Sequence, residues 1–99
     1  MALGLDWSPE AIEDIESIAS YIERDSAWYA KAVVSKIVEI AETIPAFPEL
    51  GRMFPEVGDS AIRERLVYNY RVIYRLESER VVIAAVIHAS RLLDQLIRR

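Results

Sequence analysis

The sequence predicts a small α+β domain. Three observations carry that prediction: apolar residues recur at helical spacing through most of the first half, strand-type alternation fills most of the second, and Pro, Gly, Ser or Asn stand where the period changes. The chain opens with Leu3-Gly4-Leu5-Asp6-Trp7, whose alternation reads as a short strand stopped by Ser8-Pro9. A helix over 8–24 follows. Ser8 suits its N-cap, Pro9 fits the first helical position because its missing N–H would have no partner there, and Glu10 lies where the helix dipole favours an anion. Ala11, Ile12, Ile15, Ile18, Ala19 and Ile22 recur at three- and four-residue spacing, with Glu13, Asp14, Glu16 and Glu23 mostly elsewhere, so this helix is amphipathic and acidic.

Asp25 and Ser26 break the pattern, and either can cap a second helix. Its stripe runs through Ala30, Val33, Val34, Ile37, Ile40, Ala41 and Ile44, and Pro45 ends it. A tight connection makes the two helices an antiparallel hairpin. Their β-branched content is high, so packing rather than helix propensity must hold them. A loop from Pro45 to about Ala61 carries Pro45, Pro48, Gly51, Pro55 and Gly58. It exceeds ordinary loop length, and Phe47, Met53 and Phe54 suggest that it is pinned to the core. The rest reads as a β-meander: Ile62 to Tyr68, a break at Asn69, Tyr70 to Glu77, a turn at Ser78-Glu79, then Arg80 to His88. Val81 to Ile87 is apolar on both faces, which marks a central strand covered on both sides. Leu92, Leu93, Leu96 and Ile97 suggest a short C-terminal helix starting near Ser90.

At 99 residues, 53% hydrophobic and 28% charged, the chain is an ordered single domain spanning 1–99. It has no cysteine, which excludes disulfides, a thiol nucleophile and thiolate zinc sites. One histidine is too few for a histidine-rich metal centre, so no metal and no cofactor is expected. No apolar run reaches membrane-span length, and Met1-Ala2-Leu3-Gly4 lacks the basic and apolar regions of a signal peptide, so no membrane association and a cytoplasmic location are expected.

The net charge of −4 hides an asymmetry. Residues 1–50 hold only Arg24, Lys31 and Lys36 against ten acidic side chains, whereas residues 51–99 hold nine arginines, no lysine and six acids. Arginine presents a planar fork suited to carboxylates and phosphates. Alternation puts Arg71, Ile73 and Arg75 on one face and Tyr70, Val72, Tyr74 and Leu76 on the other, while Arg63 and Arg65 share a face of the preceding strand. The four arginines are therefore expected to line one side of a two-strand ribbon, able to meet phosphate, an acidic peptide or the protein's own acidic helices. His88 ends the core strand beside Ser90 and Arg91. It reads as a strand-end residue held by a hydrogen bond, with a general-base role chemically open to it because its pKa lies near neutrality. No nucleophile elbow accompanies it.

Five segments, in order and correctly spaced, carry a resemblance: Trp7-Ser8-Pro9-Glu10-Ala11, Phe47-Pro48-Glu49-Leu50-Gly51-Arg52, Ile62-Arg63-Glu64, Tyr70-Arg71-Val72-Ile73-Tyr74-Arg75 and His88-Ala89-Ser90-Arg91. Over nearly its whole length the chain resembles the RelE/ParE superfamily of toxins from type II toxin–antitoxin systems. The resemblance implies a helical hairpin packed on a small twisted antiparallel sheet, and a cognate antitoxin whose disordered tail folds onto the hairpin and sheet. A homodimer or a toxin–antitoxin hetero-oligomer is plausible for such a toxin.

Two branches of that superfamily differ in target. RelE-type toxins cleave messenger RNA on the ribosome with basic residues that stabilise phosphate charge, whereas ParE-type toxins poison DNA gyrase. Arg71 falls where RelE-type enzymes keep a catalytic arginine, and Arg63 falls near another. The catalytic lysines, however, have no counterpart, and Leu92 to Arg99 offers no tyrosine or histidine. An acidic chain with pI ≈ 5.0 is also poorly matched to ribosomal RNA. The resemblance therefore favours a non-enzymatic gyrase poison, with a ribosome-dependent RNase using Arg63, Arg71, His88 and Arg91, or a non-toxic antitoxin-binding homologue, as alternatives. Arg52, Arg63, Arg65, Arg71, Arg75 and Arg91 are the expected partner-binding residues. Tyr70 and Tyr74 are expected to pack in the core, Arg52 to anchor the long loop against a helix end, and Arg71→Ala to leave the fold intact.

Overall fold

The computed structural model describes residues 3–53 and 57–90. Five strands form one sheet: β1 (Gly4–Trp7), β2 (Arg52–Met53), β3 (Ile62–Val67), β4 (Tyr70–Leu76) and β5 (Arg80–His88), in the spatial order β1-β5-β4-β3-β2. Two helices, α1 (Pro9–Glu23) and α2 (Ala27–Thr43), connect β1 to the rest. The sheet is mixed rather than wholly antiparallel, because β1 pairs parallel to β5. The chain leaves β1, runs through both helices, and returns to the far side of the sheet, and such a crossover is what lets two parallel strands become neighbours.

The helix ends follow their local chemistry. Ser8 caps α1 by accepting the Ala11 N–H at 3.1 Å, and Ser26 caps α2 by accepting the Tyr29 N–H at 3.0 Å. Ala11 and Ile22 of α1, with Ala30, Val33, Ile37 and Ala41 of α2, pack on Val67, Val72, Tyr74, Val81, Ile83 and Val86 of the sheet. Ile12, expected in the α1 stripe, is exposed, since the buried line runs through Ala11, Ile15, Ile18 and Ile22 one step around the helix. β5 is covered on both faces, as its sequence implies, with Ile73, Ala85 and Ile87 forming a second apolar cluster on the face away from the helices.

The segment after α2 is more ordered than an irregular loop. Two short 3-10 turns, Ile44–Ala46 and Pro48–Leu50, lead into β2, which pairs with β3 through Arg52 opposite Glu64 and Met53 opposite Arg63. Phe47 and Met53, expected with Phe54 to pin this loop to the core, are both exposed; Phe54 lies outside the described residues, as do Arg91 and most of the expected C-terminal helix.

β5 bulges at Ala84 and is tied to α1 beside the bulge. Ile73 faces Ala85 while Tyr74 faces Ile83, so β5 carries one extra residue there and its inward positions change parity. Two backbone groups of β5 past the end of β1 are met from α1 and its cap: the Ser8 hydroxyl donates to the Ala84 carbonyl at 3.1 Å, and Asp14 Oδ2 accepts the Val86 N–H at 2.9 Å. Ser8 thus caps the helix and bonds β5 with one oxygen. Ser8→Ala should cost about 1–2 kcal/mol, at the upper end of a lost cap because a second bond goes with it. A denaturant midpoint within error of the parent would contradict that.

Candidate functional site

The β3–β4 register decides where the arginines point. Ile62 faces Arg75, Arg63 faces Tyr74, Arg65 faces Val72 and Leu66 faces Arg71. Directly paired residues share a face, so Arg63 and Arg65 lie on the helix-bearing side and Arg71 and Arg75 on the other. The single four-arginine face expected from alternation does not form.

Each arginine instead has its own setting. Glu64, only 3% exposed, accepts from Arg52 Nε at 3.0 Å and Nη2 at 2.6 Å, and from Arg71 Nε at 2.5 Å. Arg71 is itself largely buried beside it. Arg52 therefore anchors the β2 segment, but on a carboxylate of β3 rather than on the expected helix end, and Arg71 balances an interior carboxylate rather than offering its charge to solvent. Arg63 clamps the preceding loop by donating to the Ser60, Glu49 and Gly51 carbonyls at 3.1, 3.2 and 3.0 Å. Arg75 and Arg80 share Glu77, and Arg80 reaches Asp6 of β1 at 2.7 Å. Arg65, half-buried, meets no carboxylate among the described residues.

Burial alone would raise the Glu64 pKa, but the hydrogen bonds and charges of Arg71 and Arg52 outweigh it and hold the carboxyl below its ordinary 4.5. A carboxyl depressed in the folded state contributes stability that is fully present above its unfolded pKa and is lost as pH falls through the folded value. Acid titration of stability should therefore show a loss beginning below about pH 4.5, and Glu64→Gln should flatten that limb while lowering stability at neutral pH. An unchanged acid limb in the variant would assign the loss to other carboxylates.

Tyr74 is fully buried, as expected, and donates from its hydroxyl to the Pro48 carbonyl at 2.7 Å. Burial raises its pKa despite the Gly51 backbone and nearby Arg63. Tyr70 is half-buried. Its ring meets the His88 ring edge-on, 5.6 Å between centroids at 77°. His88 is exposed at the end of β5, with Nδ1 accepting the Ser90 N–H at 3.2 Å and lying 2.8 Å from the Ser90 hydroxyl. That is the strand-end hydrogen bonding its position suggested.

Sequence reasoning missed two features. Glu64 sits between Ile62 and Leu66 on one strand face, and a carboxylate in an apolar alternation next to arginine-rich strands signals an internal ion pair. The other is a cleft of about 520 Å³ between α1 and the end of the β4–β5 hairpin, lined by Asp14, Ser17, Ile18, Tyr21, Tyr70 and His88. Tyr21, three residues beyond Ile18, was the available signal. Burial, and after it the charges of Tyr29 and Tyr21, raises the Tyr70 pKa. Among the described residues no group of three or more His, Asp or Glu side chains could hold a metal ion, and no helix is long and apolar enough to cross a membrane.

A family model described as the ParE toxin of type II toxin–antitoxin systems matches residues 5–93. No curated protein matches in sequence. Among solved structures, the chain is similar to one from a chromosomal ParDE toxin–antitoxin system of P. aeruginosa, with a TM-score of 0.74 and 17% identity over 90% of this chain and 98% of that one. It is also similar to a chain of the YoeB dimer from Staphylococcus aureus, with a TM-score of 0.63 and 21% identity over 89% and 98%. A third neighbour belongs to the RelBE2 toxin–antitoxin complex from Mycobacterium tuberculosis, with a TM-score of 0.63 and 19% identity over 89% and 99%.

Proposed function

The chain belongs to the ParE toxin family of type II toxin–antitoxin systems, and from that premise we propose that it arrests growth by poisoning DNA gyrase and is silenced by a cognate antitoxin. The observation that carries this reading is the state of the arginines. Cleaving a phosphodiester without a metal needs cations converging where charge develops on the phosphate. Here Arg52 and Arg71 are spent on Glu64, Arg75 and Arg80 on Glu77 and Asp6, and Arg63 on three loop carbonyls. Among the described residues, the cleft that His88 lines holds Asp14 and no cationic side chain. An acidic helical hairpin adds repulsion toward ribosomal RNA. The toxin–antitoxin complexes among the structural neighbours support the antitoxin as partner.

The test adds purified toxin to gyrase and relaxed plasmid. The expected result is stalled supercoiling together with linear plasmid released after detergent and protease. Unimpaired supercoiling at excess folded toxin, with cut messenger RNA on translating ribosomes, would replace this reading with the RelE-type one. Silence in both assays would leave an antitoxin-binding homologue without toxicity.

A further inference from the structure

We infer that β1 is an association edge whose occupant is β1 of a second copy of this chain, running antiparallel across a two-fold axis at Leu5. This holds independently of the target the toxin acts on. β1 ends the sheet, and among the described residues no strand lies on its far side. The Gly4 N–H donates to the Glu79 carbonyl at 3.0 Å and the Ser8 N–H to the Ile83 carbonyl at 2.9 Å, so the even positions direct their backbone groups at β5. The N–H and C=O groups of Leu3, Leu5 and Trp7 therefore point off the sheet. Natural edges are blunted with lysine, proline or a bulge, and Gly4–Trp7 carries none of them. Its one charge, Asp6, is balanced by Arg80 at 2.7 Å. Open backbone groups on such an edge are a template for another strand.

Symmetry and charge select a second copy. With the axis at Leu5, that residue lies opposite its own equivalent, Leu3 lies opposite Trp7 and Gly4 opposite Asp6, so each outward N–H meets an outward C=O. Leu3, Leu5 and Trp7 share the helix-bearing face, where they are only partly buried against the core, and across the axis they form leucine–leucine and leucine–tryptophan cross-strand pairs. On the other face no carboxylate opposes a carboxylate. Asp6 meets the bare Gly4 of the second copy, beyond which stands that copy's exposed Arg80. The described residues leave room for a side chain at Gly4: a Cβ there would stand 3.7 Å from the Arg80 Cβ and 3.8 Å from the Glu79 carbonyl, which is ordinary contact. Glycine weakens a strand, and its presence here matches the close approach of another backbone. Like charge on the two acidic α1 helices opposes the pairing at low ionic strength, and salt screens it.

The experiment is sedimentation equilibrium of the intact protein at about 0.15 M salt, where the Debye length is about 8 Å, from micromolar to millimolar concentration. Amide hydrogen exchange is read by NMR at the dilute and concentrated ends. A monomer–dimer equilibrium is expected, with exchange at Leu5 and Trp7 slowing as the dimer fills. Gly4 and Ser8, whose N–H groups are already bonded to β5, should not change. Gly4→Glu sets a carboxylate opposite Asp6 twice in each dimer and Gly4→Lys sets a cation there, so the first should dissociate at least about fivefold more readily than the second. Thermal melts at dilution check that both variants fold. A protein that stays monomeric throughout, a dimer whose Leu5 and Trp7 amides exchange as in the monomer, or equal dissociation constants for the two variants would overturn the proposal. Slowing of those amides only in a complex with the cognate antitoxin would overturn it too, by giving the edge to a different chain. None of these readouts involves gyrase or ribosomes, so failure here and failure of the proposed target are separately visible.

Discussion

Arg71→Ala should unfold this protein at a temperature at least about 10 °C lower than the parent, rather than leave the fold untouched. Glu64 is buried and accepts from Arg71 at 2.5 Å. Removing one partner of a buried pair leaves charge in a poorly solvating interior and typically costs about 3–5 kcal/mol. Arg52 still reaches Glu64, but it lies largely in solvent, so a loss near 3 kcal/mol is expected. In a domain of this size each kcal/mol lowers the midpoint by about 4–8 °C. The paired variant Arg71→Met with Glu64→Leu should recover most of the loss, because it removes the stranded carboxylate along with its partner. Additive effects of the two substitutions would show that they do not act as a pair. A consequence for function follows: lower toxicity of Arg71→Ala reports on folding unless the amount of folded protein is measured beside it.

Gly51→Ala should be as damaging, for a steric reason. A Cβ at Gly51 would stand 2.0 Å from the Tyr74 hydroxyl and 2.7 and 2.8 Å from two ring carbons. The ring has nowhere to go, since Tyr74 is fully buried and tied to Pro48. Gly51 itself has an ordinary extended backbone, φ −67°, so space rather than conformation demands glycine. Overpacking a core commonly costs about 1–3 kcal/mol, and here displacement of the ring also strands the Pro48 carbonyl, which puts the expected cost at or above about 3 kcal/mol. Tyr74→Leu should destabilise the parent yet relieve the Gly51→Ala protein, and thermal melts of the four proteins in that cycle give the coupling directly. A Gly51→Ala midpoint within a few degrees of the parent would mean that the β2 segment shifts freely, contrary to the Arg63 and Arg52 anchors described above.

The parts of this molecule that were legible in advance are those written in a few neighbouring residues. Ser8-Pro9 and Ser26 fix helix starts, Pro45 stops a helix, and the apolar run of β5 declares a strand covered on both faces. The face on which each arginine stands was not legible in that way. Alternation gives parity within a strand, but parity between strands depends on the length of the turn joining them. With Tyr68 in the strand and Asn69 as the break, the four arginines fall together. With Val67 paired to Tyr70 and a two-residue turn between, they separate. The bulge at Ala84 was hidden for the same reason, since an extra residue in an all-apolar strand leaves no mark in the pattern. The cleft was partly visible in Tyr21 but needed Tyr70 and His88, distant in sequence, to be brought beside it.

The pairing of β1 with β5 also bears on how the protein is born. The first strand to leave the ribosome is the one whose sheet partner is made last of the five, and the bond from Ser8 to Ala84 spans 76 positions. Contacts so far apart form late, because the intervening chain must first be closed into a loop. During synthesis the hairpin helices can pair early, while Leu5 and Trp7 wait without their strand neighbour. Closing of the sheet is thus a single late event that waits for β5, however early the helices have paired.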